Sequence, residues 1–295
     1  MTNPEFTSNR DNFCYRHPDR QSFVLCQRCM RTICRECQTQ GPVGVICPEC
    51  MKAQRKAESP AQRKARRSWG AGPVAITRSG RPIVTLSILA VTSIISLLQM
   101  VPTIGDAITD ALLFAPLYVF FGVPGVPFEP WRLLTTALVH GGFIHLALNM
   151  LALWMLGQSL EPMLGRGRYL ALYGISALGG SVAVALLADP RTATVGASGA
   201  IFGLMAALLI IGRHIGANVT GILVVLAINF VLSFTLGGIA WQAHVGGAVI
   251  GAAVAFIYTR TRRREQRTLQ TVLLIALSIL LIAVVLIVPP ALFLS

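Results

Sequence analysis

The chain predicts an all-α polytopic membrane protein preceded by a small zinc-bound cytosolic module, on three observations. Hydrophobic residues fill 54% of the 295 positions and mean hydropathy is +0.65, a composition suited to lipid. The apolarity is uneven: the first eighty residues are polar and basic, and all seven cysteines fall between Cys14 and Cys50. Apolar stretches separated by short polar segments then follow. They divide the chain into a cysteine-rich module (1–55), a basic juxtamembrane linker (56–82), a six-span membrane domain (83–260), and a basic loop with a seventh span (261–295).

The opening residues lack the apolar run of a secretory signal. Four pairs of one spacing then follow: Cys14 with His17, Cys26 with Cys29, Cys34 with Cys37, and Cys47 with Cys50. Eight such ligands suit two tetrahedral Zn2+ ions. A disulfide framework is the rival reading, but an odd cysteine count completed by a histidine at the matching offset favours metal. With few apolar residues, the segment depends on that metal to fold. The order resembles the cross-brace of B-box or RING-like fingers, in which the first and third pairs hold one ion and the second and fourth the other; spacing alone leaves a sequential ribbon pairing open. A ligase-like role is suggested by that spacing alone, and such fingers serve many binding purposes, so a cytosolic protein partner is left open.

Lys52, Arg55, Lys56, Arg63, Lys64, Arg66, Arg67, Arg78 and Arg81 make the next stretch basic. A net charge of +13 beside a zinc finger raises nucleic acid as a partner. A basic segment directly before a first apolar span is instead what membrane topology requires, so anionic headgroups are the expected partner and no nucleic acid is. The spans are expected at 83–101, from 133 or 140 to 157, then 170–187, 198–212, 219–234, 239–258 and 269–288. Between the first two, the apolar run 111–123 contains Pro116 and is too short to cross. It should lie in the interface with Phe114, Tyr118, Phe120 and Phe121 partly immersed, its end anchored at the headgroups by Trp131 and Arg132. Counted between spans, the linker, Arg166, Arg168, Arg213 and the run 260–267 share one side, against Arg132 and Arg191 on the other. The first side is therefore expected to be cytoplasmic, which places the N-terminus in the cytosol and the C-terminus outside a plasma membrane.

Ser198 opens the fourth span within Gly196-Ala197-Ser198-Gly199 and is the candidate nucleophile. A serine hydroxyl needs a base and oxyanion donors. His244 is the candidate base, since an ionisable group inside an apolar run is usually functional. His145 and Asn149, four apart on one helix face, are candidate donors. Gly199 with Gly203, and Gly247 with Gly251, give each helix a G-x-x-x-G face, so the two backbones can approach closely enough for a Ser-His hydrogen bond. No aspartate is placed to orient His244, which favours a dyad. His140 has no assigned role; it lines a water path or caps the second span.

On these residues the chain resembles the rhomboid family of intramembrane serine proteases. Gly196 and Ser198 match its G-x-S-G motif, His145 and Asn149 its H-x-x-x-N pair, His244 with Gly247 and Gly251 its A-H-x-x-G-x-x-x-G helix, and Trp131-Arg132 its first loop, over about residues 80 to 260. Several family members stack a tyrosine on the histidine where this chain has Phe202, whose ring can also stack. The resemblance implies a rhomboid-like six-helix bundle extended by a seventh helix. It also implies cofactor-free cleavage of single-span membrane proteins near the outer face, at segments that unwind easily. The alternative is an inactive rhomboid-like protein that binds or escorts membrane helices. A transporter would carry several intramembrane carboxylates or an internal repeat, and the spans show almost none.

Overall fold

The computed structural model describes residues 10–40, 44–57, 81–121, 123–235 and 237–293. The chain separates into two compact units at the boundary between Ser79 and Gly80. Most of the basic linker, residues 58–80, lies outside the described residues.

The first unit holds two small antiparallel ribbons. Strands β1 (Phe13–Cys14) and β2 (His17–Gln21) form one, and β3 (Thr39–Gln40) and β4 (Val45–Ile46) the other. Helix α1 (Pro48–Ala57) follows; a proline at its first position lacks only an N–H that would be unpaired there anyway. The buried cluster is Cys14, Cys26, Ile33, Cys34, Cys37 and Cys47. Ile33 is its single aliphatic member, and burying one such side chain contributes only about 1.5–3 kcal/mol. Thiols therefore occupy the place of a core.

The second unit is helical: α2 (Ile83–Leu98), α3 (Gly105–Leu112), α4 (Arg132–Thr135), α5 (Phe143–Leu164), α6 (Arg166–Leu187), α7 (Ser198–His214), α8 (Thr220–Thr235), α9 (Trp241–Arg260) and α10 (Arg267–Phe293). Among the described residues, α5, α6, α9 and α10 are long and apolar enough to cross a membrane, and α2, α7 and α8 are apolar but shorter. The 17 residues of α7 rise about 25 Å, less than the roughly 30 Å hydrocarbon layer. The helix opened by Ser198 is thus too short to reach both surfaces.

Three expectations are corrected. The second span starts at Phe143, because Gly142 takes a φ of +118° that breaks the chain's helical course, and it continues past Gly157 through Pro162 to Leu164. The aromatic side chains of the apolar run after α3 are not all partly immersed: Phe114 and Phe120 are buried with Leu178, Val182 and Ala185 of α6 and Leu281 and Val285 of α10, while Phe121 is exposed. Nor does Arg132 reach headgroups. It is 5% exposed and binds Glu129 and the carbonyls of Asp110 and Leu113, with its guanidinium 4.0 Å over the Tyr118 ring. Paired in this way, the cation folds the loop onto itself, and Trp131 beside it is exposed.

Glu161 of α5 is a buried carboxylate absent from the expectations. It accepts the Val84 N–H at 3.0 Å, the Thr85 N–H at 2.8 Å and the Thr85 hydroxyl at 2.7 Å. The first N–H groups of a helix have no intrahelical acceptor, so Glu161 caps α2 against α5. Glu161→Ala strands those donors in an apolar setting and is expected to cost about 2–4 kcal/mol. Glu161→Gln, which keeps an acceptor oxygen, should cost less. Thermal unfolding of the purified variants measures both, and an unchanged melting temperature for Glu161→Ala contradicts the capping role.

Candidate active site

Ser198 is placed by the loop before it, and that loop is tied down from several sides. Thr194 exchanges backbone hydrogen bonds with Phe114, and its carbonyl accepts the Thr136 hydroxyl at 2.7 Å. The Gly196 N–H donates to the Thr136 carbonyl at 2.9 Å, and the Ala197 N–H points at Nε2 of His140 at 3.4 Å. His140, unassigned in the sequence, is therefore a strut. It is 2% exposed, and its Nδ1 lies 2.9 Å from the Ser96 hydroxyl, which donates to the Leu138 carbonyl at 2.9 Å. Since the serine proton is used on Leu138, Nδ1 carries the imidazole proton and Nε2 is free to accept from Ala197.

Gly196 has a φ of +120°, which L side chains rarely adopt. A Cβ there would also lie 2.8 Å from Cε1 and 3.0 Å from Nε2 of His145, and 3.8 Å from Oγ of Ser198. The glycine thus lets the imidazole of His145 stand beside the serine hydroxyl. His145 Nδ1 accepts the Gly141 N–H at 3.3 Å, and its other nitrogen lies against Gly196. Asn149 is buried one turn along α5; its Nδ2 donates to the His145 carbonyl at 2.8 Å, and its Oδ1 meets no donor. Among the described residues no side chain accepts from the first N–H groups of α7, that of Ser198 included, so they stand open to an acceptor.

His244 lies on α9, buried, with the Phe202 ring stacked on it at 4.0 Å and an interplanar angle of 10°. The phenyl ring does what the sequence allowed it to do. Nδ1 of His244 is 2.6 Å from the Ser233 hydroxyl of α8. The expected hydrogen bond between Ser198 and His244 is not formed among the described residues. Phe202 and Ser233 hold the ring from two sides, and catalytic hydrogen bonds commonly tighten only once substrate is bound.

The glycine faces do meet. A Cβ on Gly247 would overlap the Gly199 carbonyl oxygen, and one on Gly251 would overlap the Gly203 backbone. A third helix, unforeseen, joins them: Gly180 of α6 sits against Gly199 and the Ala243 carbonyl, and Gly179 against Ile250. The run Gly179-Gly180-Ser181 was the signal for it. Gly247→Ala is expected to cost about 3 kcal/mol or more, because backbone rather than a mobile side chain must give way. The melting temperature should fall; a wild-type value would contradict this packing.

Comparison with known proteins follows the same residues. The rhomboid domain profile matches residues 127–261. The rhomboid protease GluP of Bacillus subtilis is 40% identical over 161 residues, 51% of this chain and 31% of that protein. RHOMBOID-like protein 5 of Arabidopsis thaliana is 40% identical over 137 residues, 44% of each chain. YdcA, a second Bacillus subtilis relative, is 32% identical over 142 residues, 46% of this chain and 71% of its own length. The chain belongs to the rhomboid family. It spans less than half of the length of GluP and of RHOMBOID-like protein 5. The rhomboid domain makes it a multi-pass membrane protein, and the matched segment carries Ser198, His244, His145 and Asn149.

Ahead of the rhomboid domain, the eight cysteine and histidine ligands gather into two clusters. Cys14, His17, Cys34 and Cys37 form one, and Cys26, Cys29, Cys47 and Cys50 the other, with ligand atoms within 4.8 Å of one another in each. The first and third pairs therefore share one site and the second and fourth the other. Tetrahedral zinc with Zn–S near 2.3 Å and Zn–N near 2.0–2.1 Å sets S···S at about 3.8 Å and S···N at about 3.6 Å. Nδ1 of His17 lies 3.8, 3.3 and 3.4 Å from the sulfurs of Cys14, Cys34 and Cys37, and Cys29 Sγ lies 3.7 Å from Cys47 Sγ. These separations match the edges of such a tetrahedron and lie well beyond a disulfide bond. Burial, then the hydrogen bonds and charges of Cys14 and Cys34, push the Cys37 thiol up to about 11. Burial, then its cysteine neighbours, push Cys50 up to about 12. A divalent cation would relieve that crowding and let all the sulfurs ionise.

Proposed function

We propose that the chain is an intramembrane serine endopeptidase that cuts single-span membrane proteins near the outer face of the plasma membrane. The observation that carries this is the uncapped start of α7, where Ser198 stands beside Gly196 and the His145 ring on a helix packed backbone to backbone against the one bearing His244. In the first step Nε2 of His244 takes the Ser198 proton as Oγ attacks a peptide carbonyl. The Ser198 N–H, His145 and Asn149 receive the oxyanion, helped by the positive end of the α7 dipole. His244 then protonates the leaving amine, and water hydrolyses the acyl-enzyme. No cofactor enters this chemistry.

A membrane helix keeps its backbone hydrogen bonds satisfied internally, so the substrate segment must unwind before its carbonyl is reachable. Small and helix-breaking residues at that depth are the expected preference. The Lys and Arg distribution puts the N-terminal module in the cytosol, where reduced thiols suit metal, and the C-terminus outside. Cys14, His17, Cys34 and Cys37 would hold one structural Zn2+ and Cys26, Cys29, Cys47 and Cys50 a second, each neutralising thiolates and fixing the ribbons around it. The basic linker would lie against anionic headgroups.

A fluorophosphonate probe tests the nucleophile. Labelling of the wild-type protein that disappears in Ser198→Ala is expected, and a properly folded wild type that resists the probe supports the inactive helix-binding alternative instead.

A further inference from the structure

Helix α8 is attached to the rest of the domain through very little. Of its sixteen residues only Leu226 and Ser233 are buried, and Ser233 is polar. Its hydroxyl donates to the Asn229 carbonyl one turn back at 2.6 Å and lies 2.6 Å from Nδ1 of His244. Thr235, Thr271 and Ser278 make the same bond to a carbonyl one turn back and end there, the ordinary use of a hydroxyl in an apolar helix. Ser233 alone among these continues to an imidazole.

A hydroxyl has one hydrogen, and both contacts are of hydrogen-bond length. If that hydrogen lies toward Asn229, the proton of the second contact must sit on Nδ1 of His244. The reverse arrangement leaves two oxygens 2.6 Å apart with no proton between them. We propose that Ser233 is the positioning residue for His244: it accepts from Nδ1–H, holds the ring in the tautomer whose Nε2 is bare, and so occupies the orienting place that no aspartate fills. This rests on His244 being the base. When Nε2 takes the Ser198 proton, Nδ1 keeps its own, and the Asn229 carbonyl polarises the serine oxygen that receives it. Phe202 fixes the ring's plane by stacking, and Ser233 fixes which nitrogen faces the nucleophile.

The test uses the full chain purified in detergent, with Ser233→Val and Ser233→Thr as a matched pair of one shape that differ by the hydroxyl. Ser233→Val is expected to lower kcat for a single-span reporter by roughly 3- to 10-fold, the worth of one neutral hydrogen bond, with KM little changed. Ser233→Thr should restore the rate. In 15N-histidine spectra His244 should carry its proton on Nδ1 in the wild type and the Thr variant, and lose that preference in the Val variant. Wild-type kcat in Ser233→Val, equal slowing by Thr and Val, or an unchanged tautomer overturns the proposal. The tautomer readout needs no catalysis. It therefore decides the role of Ser233 even if Ser198→Ala keeps cleaving, which is the result that sinks the protease reading itself.

Discussion

Ser198→Ala and His244→Ala are each expected to lower reporter cleavage by roughly four orders of magnitude or more, and the double variant is expected to fall no further. Nucleophile and base act as one unit, so removing either removes the step that both serve. The folded state should survive, because the Ser198 hydroxyl makes no hydrogen bond among the described residues, and the backbone seam of Gly199, Gly203, Gly247 and Gly251 that joins α7 to α9 involves neither its hydroxyl nor the His244 ring. Asn149→Ala should be milder, at about 2–4 kcal/mol of transition-state stabilisation, since His145 and the Ser198 N–H still serve the oxyanion. Kinetics of the purified variants at saturating reporter check this series. A His244→Ala protein with most of its activity left, or a double variant much slower than both singles, would break the dyad assignment.

Metal removal is expected to have the largest effect on structure, and to confine it to the first unit. The buried cluster there is thiols and Ile33, with only Tyr15, Val45 and Ile46 partly buried against it, so among the described residues little apolar burial offsets the entropy of ordering the ribbons. Metal analysis of residues 1–55 should return two zinc ions, and a strong chelator should abolish its circular dichroism signal. The proposed catalytic groups all lie beyond residue 140, so a chain starting near Gly70 should still cleave a reporter in detergent. A module that keeps its fold under chelation, or a well-folded truncated protein that no longer cleaves, would contradict this division of roles.

Motifs built from rare groups were readable before any coordinates. A serine between glycines, a histidine in an apolar run and cysteine pairs of one spacing each violate the composition around them; the structure opens α7 on Ser198, buries His244 on the neighbouring α9 and gathers the cysteines and His17 into two clusters. The seam of Gly199, Gly203, Gly247 and Gly251 was equally plain, because spacing of four on a helix is a statement about one face. What escaped the reading were partnerships over long separations. Arg132 looked like a headgroup anchor because nothing in its neighbourhood announces the carbonyls of Asp110 and Leu113. Glu161 and Thr85 are separated by 76 residues and become cap and helix start only when α2 packs on α5. Phe114 and Phe120 read as interfacial because a short apolar run has the same composition whether lipid or protein covers it. Ser233 is one of many serines in apolar helices, and only the position of α8 against α9 brings it to His244.

The most direct measurement of the central claim is to reconstitute the purified protein in liposomes with a single-span reporter and map the product ends by mass spectrometry. The account predicts one cut inside the reporter's membrane span, near the outer face, made by the wild type and absent with Ser198→Ala. An intact reporter with the wild type, or the same cut made by Ser198→Ala, would contradict it.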